Sequence, residues 1–424
     1  MIAPRMSIPS LRERLASEFP AALLPLWAVA LLLPFGRSAE FGALLCLAGC
    51  LMLLRDPARR EQLRGRWPLF VALWACYAGA AAISAPDAVN PAKSWGTVLA
   101  ALRLLPLGLY ALLVATTPLR QAALQTGVAI VVGFWLLDAW IQAATGWSLA
   151  GAPEAERLSG VFGAENLKLG PVLATLSPFL LIVAQRRWGW RGLAAAFILV
   201  LVPVLLAGSR ASWFAFGLVA LVMLWTQTRR PLRFAAALAL LAAGFAAAMV
   251  VAAHGSAAFD ARIQRTLQAL SGSQANVDFA LAGRARIWQT SVAMIEAHPV
   301  NGVGVRGFRY AYAEYATPGD AFVQPDGSGA AHAHQWVLEV LSETGAAGLL
   351  LWLTGFAAAV RAWRRAGETQ RTAAFAPALA LVAMTFPLNT HLAFYSAWWG
   401  LLFWWLIAQY CAALAGNAPE TAHA

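Results

Sequence analysis

Residues 254–345 form one polar interruption in a 424-residue sequence otherwise built from apolar blocks. Those blocks set the constraint. A run of close to 20 apolar residues can satisfy its backbone polar groups in hydrocarbon only as a helix or in a closed barrel, and runs of this length are helical. Hydrophobic residues make up 60% of the chain and charged residues 12%, with a mean hydropathy of +0.63. That composition excludes a soluble globular protein of this length. Twelve windows read as transmembrane helices, at 19–35, 39–54, 68–84, 96–116, 126–144, 169–185, 191–207, 211–227, 234–253, 346–360, 373–389 and 395–415. The expected fold is all-α: a polytopic membrane protein of about 12 transmembrane helices, forming one integral membrane domain over residues 1–424. A single long external loop with short helices, 254–345, separates the ninth and tenth spans.

Arginine placement orients the chain, because cytoplasmic loops retain Lys and Arg. Alternate connections hold Arg55, Arg59, Arg60, Arg64 and Arg66, then Arg120, then Arg186, Arg187 and Arg191. The same set continues with Arg229, Arg230 and Arg233, and with Arg361, Arg364, Arg365 and Arg371. The opposite set holds only Arg37, Lys93, Arg157, Lys168 and Arg210. With an even number of spans both termini are cytoplasmic and the 254–345 loop is external. The Arg-rich set reads as topology anchors, and the N-terminal Arg5, Arg12 and Arg14 precede an uncleaved first helix.

The net charge of +11 comes largely from these anchors. They are split among short loops and make no basic stripe, so nucleic-acid binding is not expected. The long loop holds six Arg against eight Asp plus Glu, so an anion site there depends on placement. Cys46, Cys50, Cys76 and Cys411 fall within apolar windows and read as small buried residues. Trp188, Trp190, Trp398 and Trp399 fall at window ends, as an interfacial aromatic belt would.

Charges inside spans are costly and point to function or to a buried pair. Arg103 and Asp138 lie at similar depth in the fourth and fifth windows, where they could pair with each other or meet a charged substrate. Gly208-Ser209-Arg210 breaks the chain at an external junction, and Arg210 then begins a helix at the surface. Its bland role is to snorkel to lipid phosphate; its external place, against the general charge bias, favours function. In the 145–168 loop, Glu154 and Glu156 are a weak pair of oxygen ligands, whereas Arg157 and Lys168 suit an anionic group. No metal or other cofactor is expected.

Within the long loop, ARIQRTLQAL carries Arg262 and Arg265 on an amphipathic helix. A second helix covers 283–297, with Arg284 and Trp288 on one face and Arg286 on another. NGVGVRG (301–307) reads as a tight turn whose glycines allow close approach to a ligand, flanked by Arg306 and Arg309. From His334 the residues HQWVLEVL read as a helix start leading into the tenth span. A histidine held there is suited to proton transfer near neutral pH, with a solvated surface histidine as the alternative.

RLSGVFGAEN (157–166), GSR (208–210), GRARIW (283–288), HPVNGVGVRGF (298–308) and HAHQWVLEVLSETGAAGLL (332–350), in this order, resemble the O-antigen ligase and polymerase superfamily of bacterial membrane glycosyltransferases. The family usually has Asn after the histidine of its catalytic segment; here the residue is Gln335. The resemblance implies an inner-membrane enzyme with its site at the periplasmic face and an undecaprenyl-pyrophosphate-linked glycan as donor. It further implies that His334 is the general base, with His332 its rival, and that Arg210 and Arg284 stabilise the pyrophosphate leaving group. Arg157, Lys168, Arg286, Arg306, Arg309, Gln335 and His332 are the expected substrate-binding set.

The acceptor separates the members of the superfamily. A ligase uses lipid A–core, a polymerase a second lipid-linked repeat, and a protein-glycosylating member a Ser or Thr hydroxyl. The short chain without an appended soluble region resembles the ligases. A transporter for lipid-linked sugars would show two related halves and charges near the bilayer midplane. Here the charges gather towards one face. The loop reads as a lid and catalytic wall over the bundle, needing Arg210 and the 145–168 loop to complete a site.

Overall fold

The computed structural model describes residues 21–151, 157–164, 166–255 and 283–416, with positions 260 and 264 besides. Among them every extended regular element is helical, and one isolated bridge joins Ser148 and Gly151. In chain order the helices are α1 (Leu24–Leu31), α2 (Ala39–Leu53), α3 (Pro57–Arg64), α4 (Pro68–Ser84), α5 (Pro91–Ala101) and α6 (Leu104–Val114). They continue with α7 (Pro118–Thr145), α8 (Leu169–Leu206), α9 (Arg210–Thr228) and α10 (Pro231–Gly255). The long loop contributes α11 (Arg284–Ala297) and α12 (Phe308–Tyr315), and α13 (Trp336–Arg365), α14 (Glu368–Met384) and α15 (Ala397–Leu414) complete the set.

Every apolar window falls on a helical segment. Gly189 (φ 62°, ψ −150°) breaks α8 into the two limbs expected at 169–185 and 191–207. Gly345 (φ 63°, ψ −169°) likewise divides α13 into a surface piece and the segment expected as a span from 346. By length and composition, seven helices among the described residues can cross a membrane, or eight if α2 and α3, bent by 112°, make one span. The difference from twelve lies in joined limbs and in short apolar helices such as α4 and α14, each of 17 residues.

Helix α15 is the centre of the bundle. Nearly all of it is buried, from Trp399 to Leu414, and it packs against α14, α6, α1 and α4. Its buried Trp405 donates to the Leu26 carbonyl at 2.9 Å, which removes a polar cost from the core. Trp398 and Trp399 belong to this packing, since Trp398 donates to Leu33 O and Trp399 is 8% exposed. Of these four tryptophans, Trp188 and Trp190 are the exposed pair, as a belt would require. All four cysteines are free and lie within helices.

The Arg-rich connections meet at one end of the bundle. There several arginines do more than orient the chain. Buried Arg66 donates to the carbonyls of Leu112, Ala115, Ala412 and Gly416, so it satisfies the last turns of α6 and α15 together. Arg186 bridges Gln125 on α7 and the Thr372 carbonyl on α14.

Arg103 and Asp138 do not pair. Arg103 Nε lies 3.3 Å from Glu40 Oε2 on α2. Asp138 instead accepts from the Leu149 amide at 2.8 Å, and Gln142, one turn on, accepts from the amides of Ser159 and Gly160. Both polar side chains of α7 therefore fasten the 145–168 loop across the bundle end. Asp138 lies within α7 as expected, whereas Arg103 lies at the break between α5 and α6, and the sequence could not show either nearer partner.

Candidate active site

Opposite the Arg-rich end, four connections converge: 146–168, 207–209, the long loop, and 385–396. Each is held by specific bonds. Leu158 N donates to Leu206 O at 3.1 Å, which sets Arg157 beside the junction before α9. At that junction Gly208 adopts a left-handed conformation (φ 69°), and the Ser209 side chain caps α9 by accepting from Ser212 N. Arg210 is then the first helical residue, at the positive end of the helix. This is the arrangement expected from sequence.

The long loop builds a small core of its own from Ile287, Met294, Val303, Phe308, Tyr312, Ala330 and Ala333. Trp288 donates its indole N–H to Ala333 O at 3.1 Å, so α11 grips the histidine segment one residue before His334. Arg284, one turn earlier on the same face, is thereby directed to the same region. The guanidinium of Arg284 is pulled below its ordinary pKa, first by burial and then by Arg210 and Arg157. Three like charges brought together under partial burial are costly, and an anion between them relieves that cost.

The glycines of 301–307 serve packing against protein. A Cβ on Gly302 would meet the backbone at Glu343 and Thr344, and one on Gly304 (φ 96°) would run into Ala88. Val303 exchanges bonds with Ser342 and Val89, Ser94 donates to Val305 O, and Ser84 accepts from Val305 N. Their close approach is to α13 and the α4–α5 connection, where a ligand was expected.

Helix α13 begins at Trp336, two residues later than the sequence suggests. Gln335 is its N-cap, accepting from Leu338 N at 2.7 Å. That bond accounts for its side-chain oxygen and gives the position a structural role. His334 precedes the helix in a left-handed conformation (φ 54°), costly for a residue with a Cβ. Its Nδ1 lies 2.9 Å from the Thr390 carbonyl. A carbonyl only accepts, so Nδ1 carries the proton and Nε2 keeps a free lone pair. His332, with its ring 4.0 Å away, accepts the His334 backbone N–H on Nδ1 at 3.2 Å, which places the proton of neutral His332 on Nε2. Glu339 Oε2 stands 3.5 Å from the same Nδ1, beyond normal hydrogen-bond length.

His391 was not singled out from sequence. The windows 373–389 and 395–415 left almost no connection around it. Helix α14 ends at Met384 because the Phe386-Pro387 step disfavours helix, and Asn389 then donates to Met384 O at 2.9 Å. The opened 385–396 loop carries Thr390 to His334 and His391 into the field of Arg284, His334, His332 and Arg157. Among the described residues, His391 Nδ1 is buried without a hydrogen-bond partner. The Phe-Pro-Leu-Asn break was the available signal.

All three histidines are held neutral. His332 is pushed down to about 4 by burial, then by Arg306 and Arg284. His334 is pushed to about 3 by burial and by His332, against the opposing Thr390 carbonyl. His391 is pushed to about 3 by burial, then by Arg284 and the neighbouring imidazoles.

The remaining expected residues are spread out. Lys168 lies 4.6 Å from the Trp398 ring centre and its amine is lowered by burial. Arg286 acts on Tyr312, which donates to Asp320, and Arg309 acts on Asp326. Arg306 lines a separate cavity. Glu154, Glu156, Arg262 and Arg265 lie outside the described residues.

No curated protein matches the chain. A family model described as O-antigen ligase matches residues 195–353, a segment that contains Arg210, Arg284, His332 and His334. The matched segment, under half of the chain, carries both the cationic junction and the histidine pair, and over it the chain is similar to the O-antigen ligase family.

Proposed function

We propose that this protein transfers a glycan from undecaprenyl pyrophosphate to a hydroxyl of lipid A–core, at the periplasmic face of the bacterial inner membrane, with both termini cytoplasmic. The observation that supports the chemistry is an imidazole with its Nε2 lone pair unprotonated, His334, in the field of Arg284, which is itself grouped with the half-buried Arg157 and Arg210. The acceptor hydroxyl gives its proton to His334 Nε2 as its oxygen forms a bond to the anomeric carbon. The bond from that carbon to the pyrophosphate oxygen breaks, and polyprenyl pyrophosphate leaves with the electron pair. Base and leaving group lie on opposite sides of the sugar, so the anomeric centre inverts.

Arg210 and Arg284 stabilise the charge that develops on the leaving group, where guanidinium forks match phosphate oxygens. Their fixed positive charge takes the place of a metal ion. A bound pyrophosphate also offsets the cationic field on His334 and raises its basicity at the moment of attack. His334 is favoured over His332 because the outward nitrogen of His332 carries a proton. His391 Nδ1 supplies a further polar contact to donor or acceptor.

The decisive experiment is reconstitution of the purified protein with lipid-linked glycan and lipid A–core, without nucleotide and with chelator. Glycan on lipid A–core is the expected result. Chain growth on a second lipid-linked repeat would reassign the protein as a polymerase, and transfer to a Ser or Thr side chain as a protein glycosyltransferase. Flipping without covalent transfer would refute the enzyme reading. Loss of transfer with chelator, restored by a divalent ion, would overturn metal independence.

A further inference from the structure

Arg306 does not stand with Arg284. It lines a cavity of about 440 Å³ together with Arg37, Lys93, Arg103, Thr97 and Ser396. The two sparse external cations of the N-terminal half, Arg37 and Lys93, therefore meet the long loop and the connection before α15. Glu40 offsets part of this charge, at 3.3 Å from Arg103 and 3.7 Å from Arg37. Glu343 accepts the Arg306 backbone N–H at 2.9 Å. Lys93 has no carboxylate partner among the described residues, and it lies in the first turn of α5, whose amide dipoles add positive potential. Thr97 and Ser396 place hydroxyls in the same wall.

The surroundings are those of an amphiphile site. Phe41 on α2 and Trp95 and Leu99 on α5 are 56%, 45% and 64% exposed, and α5 is the helix whose other residues line the cavity. Apolar flanks beside a cationic hollow accept a lipid whose headgroup is anionic. The cavity also shares structure with the active site. The backbone turn at Arg306 is tied to Glu343 of α13, Arg306 acts on His332, and the loop that supplies Ser396 also supplies Thr390 to His334. The cavity and the histidine pair thus share the Arg306 turn and the 385–396 loop.

We infer that the Arg37–Lys93–Arg103–Arg306 cavity is a second, acceptor-side anion site, which holds the phosphates of a phosphorylated glycolipid while its sugar hydroxyl reaches His334. This rests on the transfer reaction proposed above and assigns its two anionic substrates to two separate cationic clusters. Arg37 and Lys93 are surface side chains, so their exchange leaves the fold intact; Arg103 and Arg306 are tied into packing and are unsuitable probes.

The test uses the full-length protein in phosphatidylcholine nanodiscs, native and R37Q/K93Q. Binding of bis-phosphorylated lipid A, of its dephosphorylated form and of undecaprenyl pyrophosphate is measured directly, alongside transfer kinetics. The double variant should bind bis-phosphorylated lipid A on the order of tenfold more weakly and raise the acceptor KM by a similar factor. The dephosphorylated lipid should bind both proteins equally weakly, undecaprenyl pyrophosphate should bind both alike, and R37K/K93R should restore acceptor binding. Unchanged lipid A binding in R37Q/K93Q overturns the site. So does a loss confined to undecaprenyl pyrophosphate, or phosphatidylglycerol binding as tightly as lipid A. Lipid A binding that behaves as expected while the native protein transfers no glycan would refute the reaction and leave the anion site standing.

Discussion

His334, the proposed base, has its backbone and its ring both committed. The left-handed φ turns its ring back to Thr390, and the Nδ1–H bond leaves only Nε2 for a proton. His334→Ala should lower transfer by at least roughly 10²–10⁴-fold while the thermal unfolding midpoint stays near native. Near-native turnover would remove it as the base. Arg284→Ala should cost roughly 10²–10³-fold in kcat, read in the same assay, because the leaving group loses a charge-matched donor. Lysine at that position should restore little, since an ammonium cannot make the paired contact of a guanidinium. The sequence exposed these residues through their motifs. It did not expose His391, which no motif carried and which becomes part of the cluster only when α14 stops at Met384.

Elements act here through their ends. Helix α9 brings Arg210 on its first turn, α11 brings Arg284 on its first turn, and α13 begins just after His334. The long loop is fixed to α13 by the 301–307 turn, wedged between α13 and the α4–α5 connection. Gly304 is its tightest point: φ is 96° and a Cβ would run into Ala88. Gly304→Ala should destabilise the protein by about 1–3 kcal/mol and depress transfer, measured by unfolding midpoint and kcat. A fully active, equally stable variant would show that the wedge does not position the site. Helix existence was legible from apolar length. The caps were only partly legible, since Ser209 was visible as part of a break, whereas Gln335 was mistaken for a residue inside a helix.

Across the bundle, three histidines are kept neutral at one end by burial and by arginine. Their folded pKa values lie near 3 to 4, below the ordinary imidazole value of 6.5. As pH falls through 6.5 towards 4, the unfolded chain takes up protons that the folded protein refuses. These three sites therefore contribute stability that is full above that window and declines as pH falls within it, against an opposite slope from Glu339 and Glu343, whose carboxyls burial raises to about 8. The unfolding midpoint should drop across pH 6.5 to 4, and His391→Asn should flatten the decline by removing one of the three sites. An unchanged slope would mean that His391 titrates normally in the folded state.

Apolar run length and arginine alternation alone specified an all-helical bundle with one polar loop, because hydrocarbon admits few backbone conformations and arginine resists translocation. Those are local, additive properties of a chain. Partner choice is not. Arg103 meets Glu40 and not Asp138, Arg66 meets helix ends and not lipid, and Arg306 turns from Arg284 to Arg37 and Lys93. Each choice depends on which of several polar groups lies within a few ångströms once the helices pack. Distances between residues hundreds of positions apart arise only from that packing, and so only the tertiary structure decided which cations lie together.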